Sequence, residues 1–183
     1  MPILGIMASQ ISGHLVTGDF ESIATVSVGS GGSSSVTFTS IPSTYKHLQV
    51  RGIYRNPGAV VYLNVTAGSV NYGVKRHYLS GGNGNSVYAS SNGPSASNGL
   101  NLDVYVGALV ANQFGAFVLN ILDYADTNKY KTFRYLGGYE DASSTLNFVS
   151  GYYDTTSAIT ALEFKGGGGN MAQYSHYALY GIK

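Results

Sequence analysis

Four histidines and nine acidic residues are the side chains of this chain best suited to chemistry. His14, His47, His77 and His176 never stand in a His-x-x-x-His pair, so the spacing by which two imidazoles on one helix share a zinc ion is missing. No Gly-x-Ser-x-Gly elbow presents a serine nucleophile. Serines gather instead in runs such as Ser33-Ser34-Ser35, where their hydroxyls serve turns. Gly82-Asn83-Gly84 lacks a third glycine and a following helix, and the Gly166–Gly169 run is not followed by Lys-Ser/Thr. Neither can cradle a phosphate at a helix N-terminus. Glycosidases need two cooperating carboxyls, and the acids here are scattered. Asp123 and Asp126 alone flank a short turn, Asp123-Tyr124-Ala125-Asp126-Thr127-Asn128. Its oxygens could hold a calcium ion, but the spacing is not an EF-hand loop, and an Asx-type turn is the simpler reading. We therefore expect no catalytic residue, no metal ligand and no cofactor, and a protein that is not an enzyme.

Aromatic and basic side chains remain as candidates for binding. Tyr88, Tyr124, Tyr130, Tyr152 and Tyr153 fall at expected loops and strand ends, where an exposed ring stacks on sugars or anchors a protein interface. Tyr135 and Tyr139 lie nearby, and the chain has no Trp, the largest stacking platform. Basic residues gather at Lys75-Arg76-His77 and at Lys129, Lys131 and Arg134. With Arg51 and Arg55 these could meet an acidic partner, although solvated strand ends explain them as well. Ten Lys and Arg against nine acids, for a net charge of +1, do not build the basic face that a nucleic-acid backbone requires.

The elements that must position these residues are strands. Polar and apolar residues alternate in His47–Arg51, in Val61–Thr66 and in Asn101–Val106, a period of two that sends one set of side chains to each face of a sheet. Breaks fall at Gly29-Ser30-Gly31-Gly32-Ser33, Asn56-Pro57-Gly58, Gly81–Asn85, Asn92-Gly93-Pro94 and Gly166–Gly169. Strands are predicted near 22–28, 35–39, 46–55, 60–66, 72–79, 100–106, 115–123, 131–137, 146–153, 159–164 and 175–182. The first two read as one hairpin. No segment keeps a helical period. This pattern predicts an antiparallel β-sandwich of about ten strands. Phe117-Val118-Leu119-Asn120-Ile121-Leu122 is nearly all apolar and suits a central strand covered on both faces, or a strand facing a neighbouring subunit.

The chain has 183 residues, 44% of them hydrophobic, enough for one domain over 19–183 with a sizeable core. Residues 1–18 do not alternate cleanly. Ile3, Leu4, Ile6, Met7 and Ile11 read as an arm ahead of the domain, docked on a partner or on the chain's own core. Only 10% of residues are charged, which suits a permanent assembly better than a crowded monomer. With no cysteine, disulfides and thiolate sites are excluded, and with no signal-like N-terminus a cytosolic folding environment is expected. No apolar stretch is long enough for a membrane helix.

Several segments resemble small structural proteins of tailed bacteriophages, particularly of the aquatic type. They are Ser40-Ile41-Pro42-Ser43-Thr44-Tyr45-Lys46-His47-Leu48-Gln49-Val50-Arg51, the opening Ile3-Leu4-Gly5-Ile6, Glu21-Ser22-Ile23-Ala24-Thr25, Ile121-Leu122-Asp123-Tyr124, and the ending Tyr174–Lys183. The resemblance implies a jelly-roll-like sandwich, often trimeric, displayed on a virion assembled in the host cytoplasm. It implies major capsid or tail proteins as partners without choosing between them; the shortness of the chain favours a capsid-decoration or cement role, because tail fibres usually carry long shafts. A tail-fibre or receptor-binding tip, with a cell-surface glycan as ligand, is the alternative. No nucleic-acid or membrane partner is expected.

Overall fold

The computed structural model describes residues 19–57, 61–67, 70–71, 74–82, 85–92, 100–104, 112–139, 145–166 and 169–183. The arm residues Ile3, Leu4, Ile6, Met7 and Ile11 lie outside them.

The strands are β1 (Phe20–Ser27), β2 (Ser35–Phe38), β3 (His47–Tyr54), β4 (Val61–Ala67), β5 (Val70–Asn71), β6 (Val74–Gly82), β7 (Asn85–Asn92), β8 (Leu100–Val104), β9 (Gly115–Leu122), β10 (Lys131–Tyr139), β11 (Thr145–Tyr153), β12 (Ala161–Gly166) and β13 (His176–Ile182). Among the described residues the fold is all-β, without a helix. Every strand pairing is antiparallel. An eight-stranded sheet runs β1-β13-β3-β9-β10-β11-β6-β7, and a five-stranded sheet runs β2-β12-β4-β5 with β8 also on β4.

Among the described residues there are thirteen strands, where about ten were expected. The addition of most consequence is β7, whose Asn- and Ser-rich sequence carries no apolar alternation. The expected β1–β2 hairpin is also corrected, because the two strands belong to different sheets. After β1 the chain stays paired to the turn before β13: Val28 N–H donates to the Ser175 carbonyl at 2.8 Å, and Tyr174 N–H to the Val28 carbonyl at 3.0 Å. A bridge between Ser33 and Met171 then carries it to the smaller sheet.

Alternation decides what is buried. In β9, Phe117, Leu119 and Ile121 point into the chain's own core, while Val118, Asn120 and Leu122 point out and are half-buried. The strand is central, between β3 and β10, with one face in the chain's own core. Phe117 is the hub. Its ring lies 5.5 Å from Tyr54, 5.8 Å from Tyr135, 6.1 Å from Tyr177 and 5.7 Å from Phe164 of the smaller sheet. Such aromatic pairs each add about 0.5–1.5 kcal/mol beyond simple burial. Room for the hub comes from a glycine inside a strand, since a Cβ on Gly52 would stand 2.2 Å from the Phe117 ring.

Four of the five segments behind the resemblance, all but the opening Ile3–Ile6, lie within the described residues, and contacts link them. Tyr45 donates to Glu21 Oε2 at 2.9 Å, and Lys183 Nζ donates to Glu21 Oε1 at 2.6 Å. The Tyr45 ring fills the space that a side chain at Gly181 would take, its Cγ 2.3 Å from an added Cβ. The Tyr124 hydroxyl donates to the Pro42 carbonyl, and Asp123 N–H donates to His47 Nδ1 at 3.0 Å. These segments carry structural contacts that tie the chain's last strand to β1, β3 and β9.

Candidate functional site

The expected tyrosine cluster divides. Tyr124 and Tyr153 are core residues, 0% and 1% exposed, and so cannot serve as surface platforms. Tyr153 packs on Phe133 at 5.1 Å, and burial pushes its phenol well above the ordinary tyrosine range. The side chain of Tyr88 is outside the described part. Tyr130 and Tyr152 do come together, stacked at 5.5 Å with 11° between ring planes, and Lys75 Nζ lies 5.8 Å from the Tyr152 ring. A hydrogen bond to Asp154 raises the Tyr130 phenol, and one to Tyr152 raises the Lys75 ammonium. The pair is closed by its own stacking, which leaves Tyr130 as its exposed ring.

The Asp123–Asn128 segment is an Asx turn, with Asn128 N–H donating to Asp126 Oδ1 at 2.8 Å. Lys129 lies 2.7 Å from Asp123 and 3.5 Å from Asp126. Its hydrogen bond holds the Asp123 carboxyl below the usual range, and the backbone N–H of Asn128 does the same for Asp126. A lysine thus occupies the place between the two carboxylates where a cation would sit. The expected basic clusters also divide. Lys131 is fully buried, its ammonium donating to the carbonyls of Asp126, Lys129 and Thr156, and burial lowers its pKa. Arg76 is buried as well, 5.5 Å from the Tyr78 ring.

The outward face of the eight-stranded sheet was not anticipated. Residues directly paired across an antiparallel ladder share a face. Register therefore places Arg51, Val118, Leu136, Phe148, Leu79 and Ala89 in one row across β3, β9, β10, β11, β6 and β7. Ile53, Ala116, Gly138, Leu146 and Gly81 form the next row. Leu79, Leu136, Phe148, Ile53 and Leu146 are 48%, 49%, 49%, 52% and 60% exposed. On the other side of the apolar rows stands a polar row of Gln49, Asn120, Arg134, Ser150 and His77. No Asp or Glu projects outward from β3, β9, β10, β11 or β13. A sequence signal for this face exists in β11, where Leu146 and Phe148 alternate with Asn147 and Val149. Taken alone, however, that alternation places the leucine and phenylalanine inside.

Comparison with known protein families, with curated proteins and with solved structures finds no match.

Proposed function

We propose that this chain is a structural protein of a tailed-bacteriophage particle, a jelly-roll-like antiparallel β-sandwich of the capsid-decoration or cement type. It is displayed on the particle surface, held by protein–protein contacts, and assembled as a homotrimer. The observation that carries this reading is the outward apolar face of the large sheet. Contiguous exposed apolar surface of more than a few hundred Å² is uncommon on soluble monomers and marks an interaction surface. Here it lies on regular strands of a rigid sheet, not on mobile loops, which suits permanent packing. The low charge of the chain agrees, since little self-repulsion opposes assembly.

The non-enzymatic part of the proposal rests on the same geometry. Among the described residues, three of those best suited to chemistry are engaged in structural contacts: Asp123 and His47 with each other and Asp123 with Lys129, and Glu21 with Lys183 and Tyr45. Electron microscopy of intact particles tests the proposal. The expected result is density for this domain on the capsid exterior, with the face carrying Leu136 and Phe148 turned against a neighbour. Purified particles that lack the chain, or that hold it with this face open to solvent, overturn it.

A further inference from the structure

At the β3 end of the apolar rows, residues of β13, β3 and β9 line an open depression of about 260 Å³. That is below the roughly 300 Å³ at which pockets begin to take drug-sized ligands, and suits a single ring. The methyl groups of Ala178 and Ala116 line it, with Arg51 and Tyr180 at one end and Ile53 and His176 at the other.

Arg51 is held in place before any ligand arrives. Its guanidinium stands 5.1 Å from the Phe20 ring centroid and 5.2 Å from that of Tyr180, rings that stack on each other at 4.8 Å. Its Nε donates to Gln49 Oε1 at 2.7 Å, and Gln49 Nε2 donates to Asn120 Oδ1 at 2.8 Å. One guanidinium edge is thus fixed, and the two η nitrogens remain as donors. Among the described residues no carboxylate forms an ion pair with Arg51. At the far end, His176 Nδ1 is bonded to Ser27 Oγ at 2.9 Å, which leaves Nε2 for a ligand.

We propose that this depression binds the carboxylate of an acidic sugar, one pyranose ring of the uronic-acid type. The carboxylate meets the η nitrogens of Arg51, the planar fork best matched to it. The C–H face of the ring lies on Ala178 and Ala116, and its hydroxyls reach His176 and the Tyr180 phenol. Because the guanidinium is already ordered, binding does not have to immobilise it. The site is open to water, so a dissociation constant on the order of millimolar is expected. Ile53 and Ala116 belong both to the depression and to the apolar rows, so a subunit seated across that end would cover it; the sugar binds the chain with that end open, and the titration is made at a dilution where sedimentation shows a monomer.

Titration with D-glucuronate, followed by backbone amide NMR, tests it. Shifts centred on Gly52, Ile53, Ala116 and Ala178 are expected with glucuronate and not with glucose. Arg51→Gln should weaken binding about tenfold or more, with Arg51→Lys in between. Ala178→Leu, which fills the depression and leaves Arg51 in place, should block binding and covers the case in which Arg51→Gln fails to fold. No shifts at tens of millimolar glucuronate, or shifts that persist in both variants, overturn the proposal. Glutarate binding as tightly as glucuronate also overturns it, since the site would then read any carboxylate, including a protein's acidic side chain.

Discussion

Replacing Leu136 and Phe148 together by threonine is the most direct perturbation of the apolar face. The two are paired across β10 and β11, and each is 49% exposed. Threonine is β-branched and keeps the strand preference. A large apolar side chain presents roughly 150–250 Å² in full, so the two exposed halves offer about 150–250 Å² to a partner. At ~25 cal/mol per Å² that is about 4–6 kcal/mol of burial, or about a thousandfold or more in dissociation constant. The packed halves are as large, but threonine keeps its Cβ and γ-methyl on the sheet, so the folded monomer should lose only part of a similar sum, about 2–4 kcal/mol. Ser150→Thr, in the polar row of the same strand, is the control. Sedimentation velocity over a concentration series measures self-association, retention on purified particles measures attachment, and calorimetry measures Tm. We expect association to collapse in the double variant while a cooperative melting transition persists at a lower Tm. Unchanged association in both assays, from a variant that is folded, refutes the assignment of this face as the interface.

Lys131→Met should destabilise the domain by about 3–5 kcal/mol, because it strips the ammonium from three carbonyls and leaves them in a buried site; a chemical-denaturation midpoint close to wild type would count against that role. Gly181→Ala should cost about 1–3 kcal/mol by overpacking, since its Cβ meets the body of the Tyr45 ring, and the companion change Tyr45→Ala should relieve part of that cost in a double-mutant cycle. Acid should weaken the fold: Lys183 holds the Glu21 carboxyl, and Lys129 the Asp123 carboxyl, below their ordinary values. Each group binds its proton less readily folded than unfolded, so its contribution is complete above about pH 5 and declines as pH falls through the folded-state value. Urea midpoints from pH 6 to pH 3 should fall, and fall less steeply in Glu21→Gln; a flat profile would contradict the assignment.

Strand positions were legible wherever one face of a strand is apolar and the other polar. His47–Tyr54 lies where alternation puts it and Gly115–Leu122 where its apolar run does, with Leu48, Val50, Phe117, Leu119 and Ile121 inside. β7 was not legible, because Asn85–Asn92 is held by its ladder to β6 and not by a repeating apolar side. Nor was the partition into two sheets. A Gly-Ser loop such as Gly29–Ser33 can close a hairpin or pass from sheet to sheet with the same residues. The difference lies in distant partners, Ser175 and Met171, that local sequence does not reveal. Glycines were read as turn residues, while Gly52 and Gly181 sit within strands as sockets for the rings of Phe117 and Tyr45.

The candidate site was harder to read for a related reason. Loop tyrosines looked like surface features, yet Tyr124 and Tyr153 are swallowed by the core, Tyr124 with its hydroxyl on the Pro42 carbonyl and Tyr153 with its ring on Phe133. The apolar face shows the converse. In β11, period-two logic sends Leu146 and Phe148 inward and Asn147 outward, and the ladder does the opposite. Pairing of Val149 with Tyr135, and of Phe148 with Leu136, fixes which side is which. A one-residue slip would exchange the two sets and bury the leucine and phenylalanine. The observed register instead leaves five large apolar side chains in solvent, Ile53, Leu79, Leu136, Leu146 and Phe148, together on one face. At about 25 cal/mol per Å², water penalises such exposure heavily for a domain whose whole stability is on the order of 5–15 kcal/mol. The register that leaves this face open is set by the aromatic core beneath it. The same hub around Phe117 that joins the two sheets thereby turns the outer side chains of β10, β11 and β6 away from the core.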